Sequence, residues 1–209
     1  MKSYPSLNYF GDYWGIDVYA FDKLDGSNLR FEWSKKKGFY KFGTRNTMID
    51  EKNEQFGKAI PIFLEKYGDE LDKIFRSKDY RNDLSFVCFA EFLGEKSEYG
   101  QHYPDDNFDV VLFDVNVYKR GLVKPKEFVQ NFGHLDIPKL VYHGNLNKEF
   151  VKDVQENKFG LKEGVIAKGV VGTKKSEHIY YCKIKTNQWL ENLKSRYGEK
   201  ALNEELKKH

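Results

Sequence analysis

Cysteine is scarce in this chain of 209 residues, with only Cys88 and Cys182 present. Two isolated thiols supply neither a metal-ligand spacing nor a disulfide framework. Both lie in apolar runs, so buried free thiols in a reducing compartment are expected. The histidines (His102, His134, His143, His178 and His209) show no ligand spacing either. Long apolar runs are also missing. No stretch approaches the ~18 residues a membrane helix needs, and Met1 to Phe10 holds no apolar leader core. The expectation is a soluble cytoplasmic protein with no membrane partner. Internal repeats and low-complexity tracts are absent. The net charge of +3 is too small to point to a partner.

What is present is a hydrophobic content of 40%, with 16% aromatic and 32% charged residues. That balance describes a folded globular chain with a well-charged surface, long enough for one domain with a full core. Basic residues gather early (Lys35, Lys36, Lys37, Lys41, Arg45) and late (Lys162, Lys168, Lys174, Lys175, Lys183, Lys185). Such clusters form either a phosphate-binding face or a solvated surface, and charge alone favours the solvated surface.

Strand-like alternation dominates. Runs at Ile16–Asp22, Asn28–Ser34 and Gly38–Thr44 suggest an antiparallel meander turning at Asp25-Gly26 and again at Lys36-Lys37. Further strands are expected at Ser85–Leu93, Phe108–Val117, Gly164–Gly169 and His178–Lys185. Helical spacing marks Asp50–Phe75, with Pro61 and Gly68 as breaks, and Lys124–Phe132, Asn147–Asn157 and Asn187–Lys208, the last broken at Gly198. Strands and helices mix without βαβ alternation, so the class is α+β with a largely antiparallel sheet.

The chemistry centres on Lys23-Leu24-Asp25-Gly26-Ser27-Asn28. A lysine placed just before a turn, at the end of an alternating strand, can face a pocket as a nucleophile. Lys183 and Lys185 alternate on a strand and so share one side. Taken alone, such a pair reads as an exposed polar face. Glu91 stands among apolar neighbours and needs a partner. Asp105-Asp106 reads as a turn rather than a metal pair.

Five segments in order resemble the motifs of the covalent nucleotidyltransferases. They are Lys23 to Gly26 (motif I), Phe89 to Gly94 (III), Phe108 to Val115 (IIIa), Glu163 to Lys168 (IV) and Lys183 to Lys185 (V). Asn28 and the run Gly43-Thr44-Arg45-Asn46 resemble RNA ligases of the RNA ligase 2 type more than DNA ligases. The chain departs from that type at Asp25, where the type has histidine. The resemblance implies an ATP-dependent ligase-like domain, an antiparallel-sheet nucleotidyltransferase with flanking helices, over residues 1–186. A helical tail would cover 187–209, leaving too few residues for an OB-fold.

The resemblance also implies roles. Lys23 would form lysyl-AMP, with Lys183 and Lys185 as catalytic and phosphate-binding lysines. Phe113 would stack on adenine, and Glu91 would bind a ribose hydroxyl. Glu163 would hold a hydrated Mg²⁺ (or Mn²⁺). Arg45, Asn28, Asp22 and Lys168 would line the nucleotide site, Asp22 through its backbone. The implied partner is RNA with 5′-phosphate and 3′-hydroxyl ends, with an accessory protein as a possible source of RNA grip. A DNA ligase, a guanylyltransferase and a non-catalytic nucleotide- or nucleic-acid-binding domain are the alternatives.

Overall fold

The structure, a computed structural model, describes residues 1–5, 7, 10–94, 108–173 and 176–207. The expectations for His102, Asp105, Asp106, Lys174, Lys175 and His209 lie outside the described residues. The elements in chain order are β1 (Asp17–Asp22), β2 (Ser27–Ser34), β3 (Gly38–Thr44), β4 (Met48–Ile49), α1 (Ala59–Arg76), β5 (Ser85–Leu93), β6 (Asp109–Val117), β7 (Gly121–Leu122), α2 (Pro125–Phe132), β8 (Leu140–Asn145), α3 (Lys148–Gln155), β9 (Gly164–Val171), β10 (His178–Lys185) and α4 (Asn187–Lys207). All strand pairs among the described residues are antiparallel. The α+β expectation therefore holds.

The chain divides into two compact units. One comprises Met1–Pro5, Asp25–Val123 and Glu127–Ile137; the other comprises Ser6–Leu24, Lys124–Lys126 and Pro138–His209.

The first unit carries a six-stranded sheet in the order β4-β3-β2-β5-β6-β7. β2 obeys period two: Leu29, Phe31 and Trp33 are fully buried on one face. α1 covers that face. Phe63 stacks on Phe31 at 3.7 Å and Phe75 on Phe86 at 4.0 Å, and Trp33 Nε1 donates to Asp72 Oδ1 at 2.8 Å. α1 is shorter than its apolar pattern suggests, because residues 50–58 form turns. Pro61 does not break it: the ring sits in the first turn, where the missing N–H had no helical acceptor. The helix also runs through Gly68.

The second unit carries a four-stranded sheet in the order β10-β9-β1-β8. One face packs its core: Val18, Ala20, Val165, Ala167, Tyr180, Cys182 and Ile184 meet Phe150, Val151 and Val154 of α3. Asn147 caps α3 by accepting from the Phe150 N–H at 2.8 Å. Cys182 here and Cys88 in the first unit are buried free thiols, and burial raises the pKa of each.

The meander expected around Asp25-Gly26 does not form. β1 is flanked on both edges by β8 and β9, while β2 pairs with β3 and β5. Both edges of β1 are occupied, so β2 cannot fold back on it, and the chain passes from one unit to the other after Leu24. The β2–β3 hairpin at Lys36-Lys37 does form.

Candidate active site

The second unit gathers most of the predicted charge. Register places Lys168, Ile166 and Gly164 of β9 opposite Tyr181, Lys183 and Lys185 of β10. Directly opposed residues share a face, so the three lysines lie on the face turned away from the α3 core. Lys23 follows β1 and extends its pairing, its backbone N–H donating to the Gly164 carbonyl at 2.9 Å. Its Nζ stands 3.0 Å from the Glu163 carboxylate. Lys185 Nζ donates to the same carboxylate and lies 3.5 Å from the centroid of the Trp189 ring. Lys183 Nζ donates to Glu205 Oε1 at 2.6 Å, and Lys185 lies 3.4 Å from that oxygen.

The cluster is buried, which sets its electrostatics. Glu163 is 3% exposed and Glu205 5%, so each carboxylate needs the counter-charge it has. Burial pushes the Lys185 ammonium down to about 8, against the pull of Glu163 and with help from the like charge of Lys23. Burial also lowers Lys183, while Glu205 opposes the shift. Asp22 is raised by burial and then by the negative charge of Glu163. Lys168 is 4% exposed, its Nζ 5.1 Å from the Phe21 ring centroid. The described part of the late basic cluster is thus largely interior. Lys35, Lys36 and Lys37 of the early one are exposed.

Gly164 makes this approach possible. A Cβ there would fall on the Ile184 carbonyl oxygen and 2.8 Å from Lys185 Cα. Gly164→Ala is expected to lower stability by about 3 kcal/mol, the upper end of overpacking costs, measured by urea unfolding.

The first unit holds the other predicted residues. Asn28 and Glu91 are directly opposed on β2 and β5. Glu91 Oε1 accepts from the Gly26 N–H at 3.0 Å. Gly26 is required by close approach to β5 rather than by a hairpin turn, since a Cβ would fall on the Phe92 carbonyl oxygen. Asn28 Oδ1 is buried with no hydrogen-bond partner among the described residues, an acceptor that a ligand donor or ion would satisfy. Phe113 is the extra residue of a bulge, because Phe89 pairs with Asp114 and Ala90 with Leu112. Bulges re-aim side chains. Its ring is met by Tyr4 edge-on at 5.1 Å and by Phe89 at 6.4 Å, and Tyr4 Oη donates to Asp114 Oδ2 at 2.9 Å. Arg45 is exposed in the β3–β4 turn, its carbonyl accepting from Ser3 Oγ at 3.3 Å.

The arrangement in the second unit suits phosphoanhydride chemistry, with a lysine held beside two further lysines that can take phosphate charge. The sequence model of the RNA ligase family matches residues 16–185. The chain belongs to the RNA ligase family. Among solved structures, an archaeal ATP-dependent RNA ligase is similar at 16% identity with a TM-score of 0.63, over 100% of this chain and 56% of that one. A variant of the Naegleria gruberi RNA ligase with ATP and Mn is similar at 16% identity with a TM-score of 0.65, over 94% and 59%. The same ligase with PPi is similar at 18% identity with a TM-score of 0.64, over 94% and 59%. These likenesses carry the fold, and the chain spans between 50% and 59% of the length of the solved chains. Among curated proteins, none matches.

Within this RNA ligase family member, Lys23, Glu163 and Lys185 meet directly, and Lys183 joins them through Glu205. Asp22 and Lys168 belong to the same unit; Asn28, Arg45, Glu91 and Phe113 belong to the other. Sequence reasoning missed Glu205, Trp189 and Tyr4. Trp189 and Glu205 sit in the tail, where helical spacing would turn apolar residues inward, yet Leu206 is 50% exposed and Glu205 is buried. No sequence signal separates Glu205 from its neighbour Glu204.

Proposed function

We propose that this chain is the catalytic region of an ATP-dependent RNA ligase. The observation that carries the reading is the buried convergence of Lys23 and Lys185 on Glu163. Lys23 Nζ attacks the α-phosphorus of ATP; a P–N bond forms, the P–O bond to the β-phosphate breaks, and pyrophosphate leaves. The ammonium must lose its proton first, because only the neutral amine is a nucleophile. AMP then passes from Lys23 to an RNA 5′-phosphate. A 3′-hydroxyl attacks the activated phosphate, sealing the strand and releasing AMP. Lys183, Lys185 and Lys168 take up phosphate charge, while Glu91 and Phe113 serve the ribose and the base. Arg45, Asn28 and the Asp22 backbone complete the nucleotide contacts.

A divalent ion suits the hard oxygen of Glu163, which already shares its surroundings with a second carboxylate, Asp22. No group of three or more ligating side chains occurs among the described residues, so Mg²⁺ or Mn²⁺ bound there would keep much of its water. When bound, the ion supplies neutralisation of phosphate charge. The substrate is RNA carrying 5′-phosphate and 3′-hydroxyl ends, with grip supplied in part by a partner.

Transfer of label from α-³²P-ATP to the purified protein tests the reading. Label from ATP and not from GTP, followed by sealing of nicked RNA in preference to nicked DNA, is expected. Label from GTP alone points to a guanylyltransferase. Absence of any covalent label, from ATP or GTP, would leave a binding domain.

A further inference from the structure

α4 brings a carboxylate to lysines that the proposed reaction needs. Its first half is anchored by the Thr186 hydroxyl, which accepts from the Trp189 N–H at 3.1 Å, and by burial of Trp189 and Leu193. Gly198 then breaks the helix at φ 82°. A Cβ at Gly198 would meet nothing within 4 Å, so the glycine serves its backbone conformation rather than packing. Past the break, Ala201 and Glu205 are buried, one helical turn apart on the same face. Small Ala201 lets that turn come close, and Glu205 reaches Lys183 and Lys185.

The charges explain why a carboxylate is wanted there. Lys183 and Lys185 are two positions apart on β10, with side chains 10% and 7% exposed. Glu163 is already engaged by Lys23 and Lys185. Lys183 donates its hydrogen bond to Glu205 of the tail instead. An ammonium has three donors, so one bond to Glu205 fixes its direction and leaves others for a phosphate.

We propose that Glu205 is a positioning residue for ATP, holding the Lys183 head group charged and aimed at the phosphates. The proposal rests on the adenylylation reading above. It makes residues past Gly198 part of the nucleotide machinery through Lys183, although Glu205 itself touches no substrate.

Adenylylation kinetics in the full chain test it, using α-³²P-ATP with Glu205→Ala, Glu205→Gln, Glu205→Asp and Gly198→Ala. Loss of a charge-assisted hydrogen bond is expected to raise KM for ATP on the order of 10-fold in Glu205→Ala, with a smaller change in kcat. Glu205→Gln keeps an acceptor and falls between Ala and wild type, and Glu205→Asp keeps the charge and recovers most of the affinity. Gly198→Ala, which tilts the second half of α4 without touching a lysine, raises KM in the same direction. An unchanged KM in folded Glu205→Ala, with only its melting temperature lowered, would make the contact purely structural and overturn the proposal. A lowered KM in Glu205→Ala and Glu205→Gln would overturn it in the other direction, making Glu205 a competitor of phosphate. Wild type that takes no label would overturn the adenylylation reading and this proposal together, whereas label on wild type with an unmoved Glu205→Ala overturns this one alone.

Discussion

Lys23→Arg is expected to abolish AMP transfer to the protein, by on the order of 10³-fold or more, while leaving the fold intact. The guanidinium keeps a positive charge opposite Glu163, 3.0 Å from Lys23 Nζ in the native cluster, so the buried carboxylate does not lose its counter-charge. What it removes is a nitrogen that can become a neutral nucleophile, since arginine stays protonated at any working pH. Lys23→Ala loses label equally but strips one partner from Glu163, so its stability falls where that of Lys23→Arg does not. The comparison separates chemistry from packing. Label retained by both variants would place the nucleophile elsewhere, and peptide mapping of labelled Lys23→Arg would then show whether Lys185 takes the AMP.

Glu163→Gln is the second large effect. Glu163 is 3% exposed and faces two ammonium groups drawn from distant parts of the chain. Neutralising one partner of a buried charge cluster leaves the rest uncompensated, at a cost of about 3 kcal/mol. Urea unfolding measures that loss through a lower midpoint at unchanged slope. The amide keeps the shape but offers one acceptor oxygen, so it cannot hold Lys23 and Lys185 from the same side. Misplacing the nucleophile by about 1 Å costs on the order of 10²-fold, and label transfer is expected to fall by at least that much. Loss of a metal-binding oxygen adds to the deficit, and raising Mn²⁺ then restores little. A Glu163→Gln protein with full labelling activity and reduced stability would make this carboxylate a structural counter-ion only.

Much of the fold was legible because it is local. Alternation along β2 and short apolar runs at β5, β9 and β10 place strands within a residue or two of their observed bounds, since the pleat imposes period two on a half-buried strand and a continuous apolar run on a strand buried on both faces. The helical spacing of α1 and α3 follows from the same logic at period 3.6. Misreadings arose where a local signal had more than one outcome. Asp25-Gly26 is good hairpin chemistry, yet it joins two sheets, because β8 and β9 occupy both edges of β1. Charge alone favours a solvated face for the late lysines, whereas the motif resemblance assigns Lys168 and Lys185 to a site; both are buried, Lys185 against Glu163 and the Trp189 ring and Lys168 near the Phe21 ring. Glu205 gave no signal at all, because a glutamate on a charged helix looks the same whether it faces water or a buried lysine.

By itself the sequence determined the chemical inventory and its order along the chain. Five segments kept in order, from the lysine ahead of Asp-Gly to the two lysines alternating on one strand, carry the resemblance to the nucleotidyltransferases. It also determined which residues share a face within each regular stretch of strand, because there the face depends only on parity. Tertiary structure alone decided which charges meet. Lys23 and Glu163 are 140 residues apart, Lys183 and Glu205 are 22 apart, and the bulge at Phe113 is a property of the β5–β6 pairing. Strand edges and buried counter-ions are chosen by long-range competition among many partners of similar local character, and the burial that resolves that competition exists only once the chain has folded.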